Sequence, residues 1–334
     1  MKILVIRRDN IGDLVCTTPM LSALRQHFPQ AWIGILVNAY NAEVLYGNPD
    51  LDEVFVYRKA KHRAAGSSKW RIWLETARLM LRLRRRGIDL AIVASPGGER
   101  YARMVGARRI IRDKPGQPAH EVERCCALLA PLGLPLAPGP LTPGPLTLRP
   151  QPRVVQRLQL AWAAFPGAPG PVLGVHVSSR KATQRWPAEA FAELIRRVLE
   201  SGQIGRVLLF WSPGAAHHPL HPGDDEKAAA ILAACAGLPV LPVVTGALAE
   251  LVAGLSLADL VFCSDGGAMH IAAGLGKPIV CMFGDSPPAQ WHPWGVPHVV
   301  LQTPARVVSA ITVPEVQQAI TQLLPLAGRA GSQP

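Results

Sequence analysis

Residues Ala258–Phe283 read ADLVFCSDGGAMHIAAGLGKPIVCMF. The apolar run Leu260–Cys263 has the length and content of a buried strand, and Ser264-Asp265-Gly266-Gly267 is a polar turn. A helix follows over Gly267–Gly274, Gly276 stops it, and Lys277-Pro278 leads into a second strand, Ile279–Phe283. Strand, helix and strand in so few residues make a βαβ unit of a parallel sheet. Ser264 or Asp265 is expected to cap the helix. The two glycines let a ligand approach backbone N–H groups at the positive end of the helix dipole, a diphosphate cradle without a P-loop lysine. The plain alternative is a tight turn with no ligand, and His270 alone reads as structural.

The same alternation runs outward in both directions. Ile3–Ile6, Trp32–Val37, Val54–Val56, Leu90–Ala94 and Arg109–Ile111 read as strands, with helices at Thr18–His27, Trp70–Arg86 and His120–Leu129. It restarts with strands Val172–Val177 and Val207–Phe210 and helices Ala188–Ser201, Glu226–Ala236 and Ala247–Leu257. Alternating elements imply α/β architecture with helices on both faces of parallel sheets. Between the halves, Pro131–Pro152 carries 8 prolines in 22 residues and the pentamer PGPLT twice in tandem. Such a segment predicts an extended connector. The expectation is two Rossmann-like domains, 1–150 ending in the Pro-rich linker 131–152, and 151–334. They would face each other across a cleft, with ligands at the strand C-terminal ends.

Composition narrows the function. The 334 residues are 49% hydrophobic and 17% charged, a globular balance. No apolar run approaches the ~18 residues of a membrane span. The apolar run after Met1 is too short for a signal-peptide core, so a cytoplasmic protein is expected. Six cysteines without CxxC spacing disfavour a metal cluster or disulfide framework. The formal charge is +12, and residues 1–150 hold 23 Lys+Arg against 12 Asp+Glu. The basic first half is either a solvated surface or a partner for something anionic.

After the first strand comes Arg7-Arg8-Asp9-Asn10-Ile11-Gly12-Asp13. A dinucleotide loop would need G-x-G-x-x-G here, and only Gly12 is present, which counts against a dehydrogenase. The loop offers instead the carboxylate of Asp13 beside two arginines. Asp13 or Thr17 could cap the next helix; Asp13 could equally deprotonate an acceptor hydroxyl. In the second half, Val177–Pro187 follows a strand and carries Ser178, Arg180, Lys181, Gln184 and Arg185, cations and hydroxyls suited to phosphate or to a merely solvated loop.

Three segments in this order, ILVIRRDNIGDLVCTTP at Ile3–Pro19, QRWPAEAFAEL at Gln184–Leu194 and SDGGAMHIAAGLGKPIVCMFG at Ser264–Gly284, carry a resemblance to the ADP-heptose:lipopolysaccharide heptosyltransferases, glycosyltransferase family 9. The resemblance spans residue 1 to about 320. It implies GT-B architecture and inverting, metal-independent transfer without a cofactor, the acceptor on the N-domain and an ADP-sugar co-substrate on the C-domain. By position it implies Asp13 as general base. Ser264, Asp265, Gly266, Gly267, Ala268, Met269 and His270 would hold sugar and diphosphate, while Arg180, Lys181 and Arg185 neutralise the leaving ADP. It also implies acceptor contacts from Arg8, Asn10 and Gly12, and from Arg58, Lys61 and Arg63 in a cationic loop that meets acidic sugars. One departure stands out: Gln184 occupies the place where many members have a phosphate-binding lysine. The ribose-binding acid falls among Asp224, Asp225 and Glu226, with Glu226 preferred.

From Arg58 to Arg86 there are 11 Lys/Arg and one acid, Glu75. Helix Trp70–Arg86 is amphipathic, with Arg71, Glu75, Arg78, Arg82 and Arg85 in one stripe and Trp70, Trp73, Ala77 and Met80 in another. It reads as a core-packing helix with a solvated face, or as a peripheral attachment to anionic inner-leaflet lipid. His217-His218-Pro219-Leu220-His221 and Asp224-Asp225 read as a solvated loop rather than a metal site. Trp291-His292-Pro293-Trp294 reads as cleft wall or packing. The leading expectation is transfer of a heptose or related sugar to an anionic lipopolysaccharide-core acceptor. The rivals are a non-catalytic nucleotide-sugar-binding scaffold and, with no recognised motif behind it, a nucleic-acid-binding protein.

Overall fold

The computed structural model describes residues 1–58, 69–112, 120–133, 144–163, 165, 167–217 and 223–327. Lys61, Arg63, His218 and His221 therefore lie outside the described residues, as does the centre of the Pro-rich segment. Two compact units are present, Met1–Thr147 and Leu148–Pro334.

In the first unit the order is β1 (Lys2–Ile6), α1 (Ile11–Val15), α2 (Thr18–His27), β2 (Trp32–Asn38), β3 (Glu53–Tyr57), α3 (Lys69–Arg86), β4 (Leu90–Val93), α4 (Glu99–Met104), β5 (Arg109–Arg112) and α5 (Glu121–Ala127). The strands form one sheet in the order β3-β2-β1-β4-β5, and every pairing is parallel. β1 is apolar without alternation because helices cover both of its faces, and Ile3, Leu4, Val5 and Ile6 are fully buried. The order in which strands are added to the sheet reverses between β1 and β4. The loop after β1 thus opens at the topological switch point, where ligands bind in such sheets.

The second unit contains α6 (Pro152–Ala163), β6 (Val172–His176), α7 (Ala188–Glu200), β7 (Arg206–Trp211), α8 (Asp225–Ala234), β8 (Val240–Val244), α9 (Leu248–Ser256), β9 (Leu260–Ser264), α10 (Gly267–Gly274), β10 (Ile279–Phe283), α11 (Pro288–Trp291), β11 (His298–Gln302) and α12 (Val313–Leu323). Its parallel sheet runs β11-β10-β9-β6-β7-β8, with the switch point between β9 and β6. This is the strand order of a Rossmann domain.

Several elements depart from the sequence expectation. β8 and β11 were not expected; both are edge strands, and β8 tolerates Pro242 there because an edge needs fewer ladder donors. Helix α6 starts at Pro152, at the end of the segment read as an extended connector; proline is tolerated in a helix's first turn. The start of α10 is capped by Gly266 rather than by Ser264 or Asp265. On α3 the expected apolar stripe splits: Met80 is buried beside Ile72 and Leu83, whereas Trp70 and Trp73 point outward, 74% and 61% exposed.

Candidate active site

In the first unit the backbone turns out of β1 at Arg7, whose side chain folds under the loop and is 2% exposed. Its Nη2 donates to Asp13 Oδ1 at 2.9 Å and to Glu121 Oε1 at 2.6 Å, and Asp9 Oδ2 lies 3.7 Å away. Burial works against the Arg7 charge, but Cys125, Asp9, Asp13 and Glu121 together hold its pKa above the ordinary arginine value. Burial likewise pushes the Asp9 carboxyl upward.

Asp13 has two engagements. Its Oδ2 accepts the Asn10 backbone N–H at 3.0 Å, the reciprocal half of a capping box in which Asn10 is the N-cap of α1. Its Oδ1 faces Arg7. The capping and functional readings of Asp13 are thus compatible: the cap fixes a carboxylate that keeps 13% of its surface exposed. Thr17 precedes α2, and its hydroxyl donates to the Asp13 carbonyl at 2.8 Å. Gly12 is buried and Asn10 exposed.

The loop is also tied from β2. Asn38 donates to the Arg8 carbonyl and, at 3.2 Å, to the Asp9 carbonyl; Tyr40 Oη donates to the Asp9 carbonyl, and Asn41 Nδ2 reaches it at 3.3 Å. Arg8 Nε donates to Tyr57 Oη at 2.6 Å, and its guanidinium lies 4.2 Å from the Tyr101 ring centre. Arg8 is therefore clamped between two tyrosines instead of waving free. Arg58, just beyond β3, is exposed.

In the second unit the loops after β6, β9 and β10 converge. Trp186 is 2% exposed, packs edge-on against Phe191 and Phe262, and donates Nε1–H to the Ile311 carbonyl at 2.9 Å. That anchor holds the short 3-10 turn Ala182–Gln184 against Gly284, where a Cβ would stand 2.5 Å from the Thr183 carbonyl oxygen. Only glycine permits this approach.

Gln184 is consequently buried. Its amide donates to Asp265 Oδ2 at 2.7 Å and to Ser286 Oγ at 3.0 Å, while Ser179 Oγ donates to Gln184 Oε1 at 3.2 Å. Burial raises the Asp265 pKa, opposed by Ser286, Lys181 and Gln184. The Lys181 ammonium rests on Asp285 Oδ1 at 3.1 Å and Ser286 Oγ at 3.3 Å. Asp285 is held below the ordinary carboxylate value by donors from Lys181 and Thr183. Arg185 donates Nε–H to the Ser179 carbonyl, and Arg180 is exposed.

The Gly266–Gly267 backbone is accessible at the start of α10, while Ala268, Met269 and His270 are buried in it and Ser264 ends β9. His270 lies edge-on to Trp291 at 6.0 Å. Ser178 Oγ accepts the Ser212 N–H at 2.8 Å. Of the three acids near β7, Asp225 is used up by Trp211 Nε1 and the Gly214 N–H, whereas Glu226 is exposed on α8. Among the described residues no cluster of three or more His, Cys, Asp or Glu could hold a metal ion. All six cysteines are buried thiols.

Sequence reading did not find Glu121, which contacts Arg7 across 114 positions, nor Ser286 and Asp285, which complete the Gln184 network. Arg7 itself left one signal, a charge directly after an apolar strand.

Two Rossmann-like units with anion-suited loops at their strand ends have the architecture of the GT-B glycosyltransferases. The model of glycosyltransferase family 9 (heptosyltransferase) matches residues 97–309, and the chain belongs to that family. It is 27% identical to lipopolysaccharide heptosyltransferase 2 of Salmonella typhimurium, covering 93% of this chain and 89% of that one. Lipopolysaccharide heptosyltransferase 1 of Escherichia coli O18:K1:H7 is 29% identical over 149 residues, 44% of this chain and 41% of that relative. Among solved structures, a family 9 glycosyltransferase from Veillonella parvula superposes with a TM-score of 0.82 at 20% identity, covering 98% and 97% of the two chains. The E. coli heptosyltransferase WaaC with ADP gives 0.74 at 19% identity, covering 96% and 99%.

Proposed function

We propose that this family 9 glycosyltransferase moves a heptose from an ADP-sugar to an anionic lipopolysaccharide-core acceptor, with inversion and without a metal. The observation that carries the reading is the Asp13 carboxylate, fixed at the β1 switch point by Arg7 and the Asn10 N–H yet open on one side. In the reaction an acceptor hydroxyl oxygen bonds to the anomeric carbon and its proton passes to Asp13. The bond from that carbon to the ADP phosphate oxygen breaks, and the electron pair leaves with ADP. Lys181, Arg180 and Arg185 meet the charge that develops on the diphosphate, and the Gly266–Gly267 N–H groups supply fixed dipoles.

Gln184 has a different part. Since its amide is spent on Asp265 and Ser286, it orients Asp265 toward the donor sugar, and Lys181 supplies the cation that a lysine at 184 would have given. Glu226 is assigned to the ribose because Asp225 is committed to Trp211 and Gly214. Arg8, Asn10, Gly12 and Arg58, with Lys61 and Arg63, are assigned to the acceptor. The first unit thus takes the acceptor and the second the nucleotide-sugar. A cytoplasmic enzyme with peripheral contact to the inner leaflet suits a glycolipid acceptor. No described helix is long and apolar enough to cross a membrane.

Asp13→Asn tests the reading. It keeps the shape and the N-terminal cap while removing the base, and kcat is expected to fall about 10²–10⁴-fold with donor affinity within about twofold of wild type. Unchanged turnover would remove Asp13 from the base role.

A further inference from the structure

A pairing of Asp13 with Arg7 does not by itself call for a second buried acid, yet α5 delivers one. Glu121 is 2% exposed, and a buried carboxylate is costly unless it is paired. It is paired twice: Oε1 takes Arg7 Nη2 at 2.6 Å and Oε2 takes Arg124 Nη1 at 2.7 Å. The two hydrogens on Arg7 Nη2 serve one acceptor each, Asp13 Oδ1 and Glu121 Oε1. Nη1 is occupied by the Ala94 carbonyl and by Cys125 Sγ at 3.6 Å, so the guanidinium plane cannot rotate without losing several partners.

The electrostatic consequence concerns Asp13. A buried guanidinium with Asp13 as its main counter-ion would direct its whole field at that one carboxylate. A second carboxylate on the far side of the same nitrogen divides that field. We propose that Glu121 is a positioning residue for sugar transfer: by sharing Arg7 with Asp13, it fixes the guanidinium that orients the Asp13 carboxylate and divides that guanidinium's field between the two acids. This rests on the assignment of Asp13 as base.

The groups facing Asp13 are Arg7 from the end of β1, Asp9 and the Asn10 N–H from the loop, Glu121 and Cys125 from α5, and Cys16 and Thr17 after α1. Burial pushes the Cys125 thiol up to about 11 and that of Cys16 upward too, so neither carries charge near neutrality. Asp9 is farther from the Arg7 guanidinium than Glu121, at 3.7 Å against 2.6 Å, and its charge acts on Arg7 as well.

The test is the pH profile of kcat for Glu121→Gln, which keeps volume and removes charge, beside Asp13→Asn and Glu121→Asp. E121Q is expected to lose about tenfold in kcat, to keep donor KM within about twofold, and to move the acidic limb to lower pH. E121D, with its charge kept but withdrawn by one methylene, should fall between E121Q and wild type. Should E121Q not fold, the same comparison of E121D with wild type decides the matter. An acidic limb that stays in place in a folded Glu121 variant, with or without loss of kcat, overturns the role. Loss of turnover in D13N together with that unmoved limb removes Glu121 alone; full turnover in D13N removes the base assignment and the Glu121 role with it.

Discussion

His176 closes β6 directly before the donor loop, and burial pushes its pKa down to about 4, helped by the nearby Lys227 ammonium. Lys227 in turn donates to the Val177 carbonyl at 3.0 Å and sits 4.9 Å from the centre of the Phe191 ring. A histidine with a depressed folded-state pKa binds its proton more readily when unfolded. Its neutral form therefore contributes fully above the unfolded value near ~6.5, and stability is lost as pH falls toward about 4. Urea midpoints measured across that window should fall with pH in the wild type and fall less in His176→Gln. Parallel curves would show that His176 does not govern the acid response. At this scale the sequence disclosed which residues carry charge, but not their partners. Asp13, Asp265 and Gln184 stand out in the sequence because each follows a strand in a polar stretch, Asp265 directly after β9 and the other two a few residues beyond β1 and β6. Glu121 does not, since nothing within one helix reports an ion pair formed with a strand 114 positions away.

Helix α3 shows where periodicity misleads. Of the apolar stripe Trp70, Trp73, Ala77 and Met80, only Met80 is buried, and the unit's core takes it together with Ile72 and Leu83. Two apolar faces on one helix cannot be ranked from spacing alone; which one is covered depends on the β3 and β4 surface beneath it. The outer stripe continues through Leu74 and Leu81, 45% and 46% exposed, and is flanked by Arg71, Arg78 and Arg85. Tryptophan beside arginine on an open helix face suits the boundary of an anionic bilayer. Trp70→Ser with Trp73→Ser is expected to weaken sedimentation with phosphatidylglycerol-containing vesicles at least fivefold, about 1 kcal/mol, and to leave donor KM unchanged. Equal partition of variant and wild type would assign the stripe another use. The loops behave differently from this helix: QRWP stands out in the sequence through the family resemblance, and the structure adds that Trp186 is a buried anchor and that Pro187 stands next to the start of α7.

For the whole molecule, alternation of strands and helices was sufficient to give two parallel α/β units, since a parallel sheet forces long apolar runs and intervening helices. The edges were harder. β8 and β11 are partly exposed, and neither presents the continuous apolar run of a central strand. The functional assignment draws on both units, each holding its polar loops at a switch point, and on membership of family 9. The decisive measurement is mass spectrometry of a lipopolysaccharide-core acceptor incubated with the purified protein and ADP-heptose, with ADP release followed in parallel. The account predicts an acceptor heavier by one heptose and one ADP released per transfer. Donor binding with neither a heavier acceptor nor ADP would contradict it.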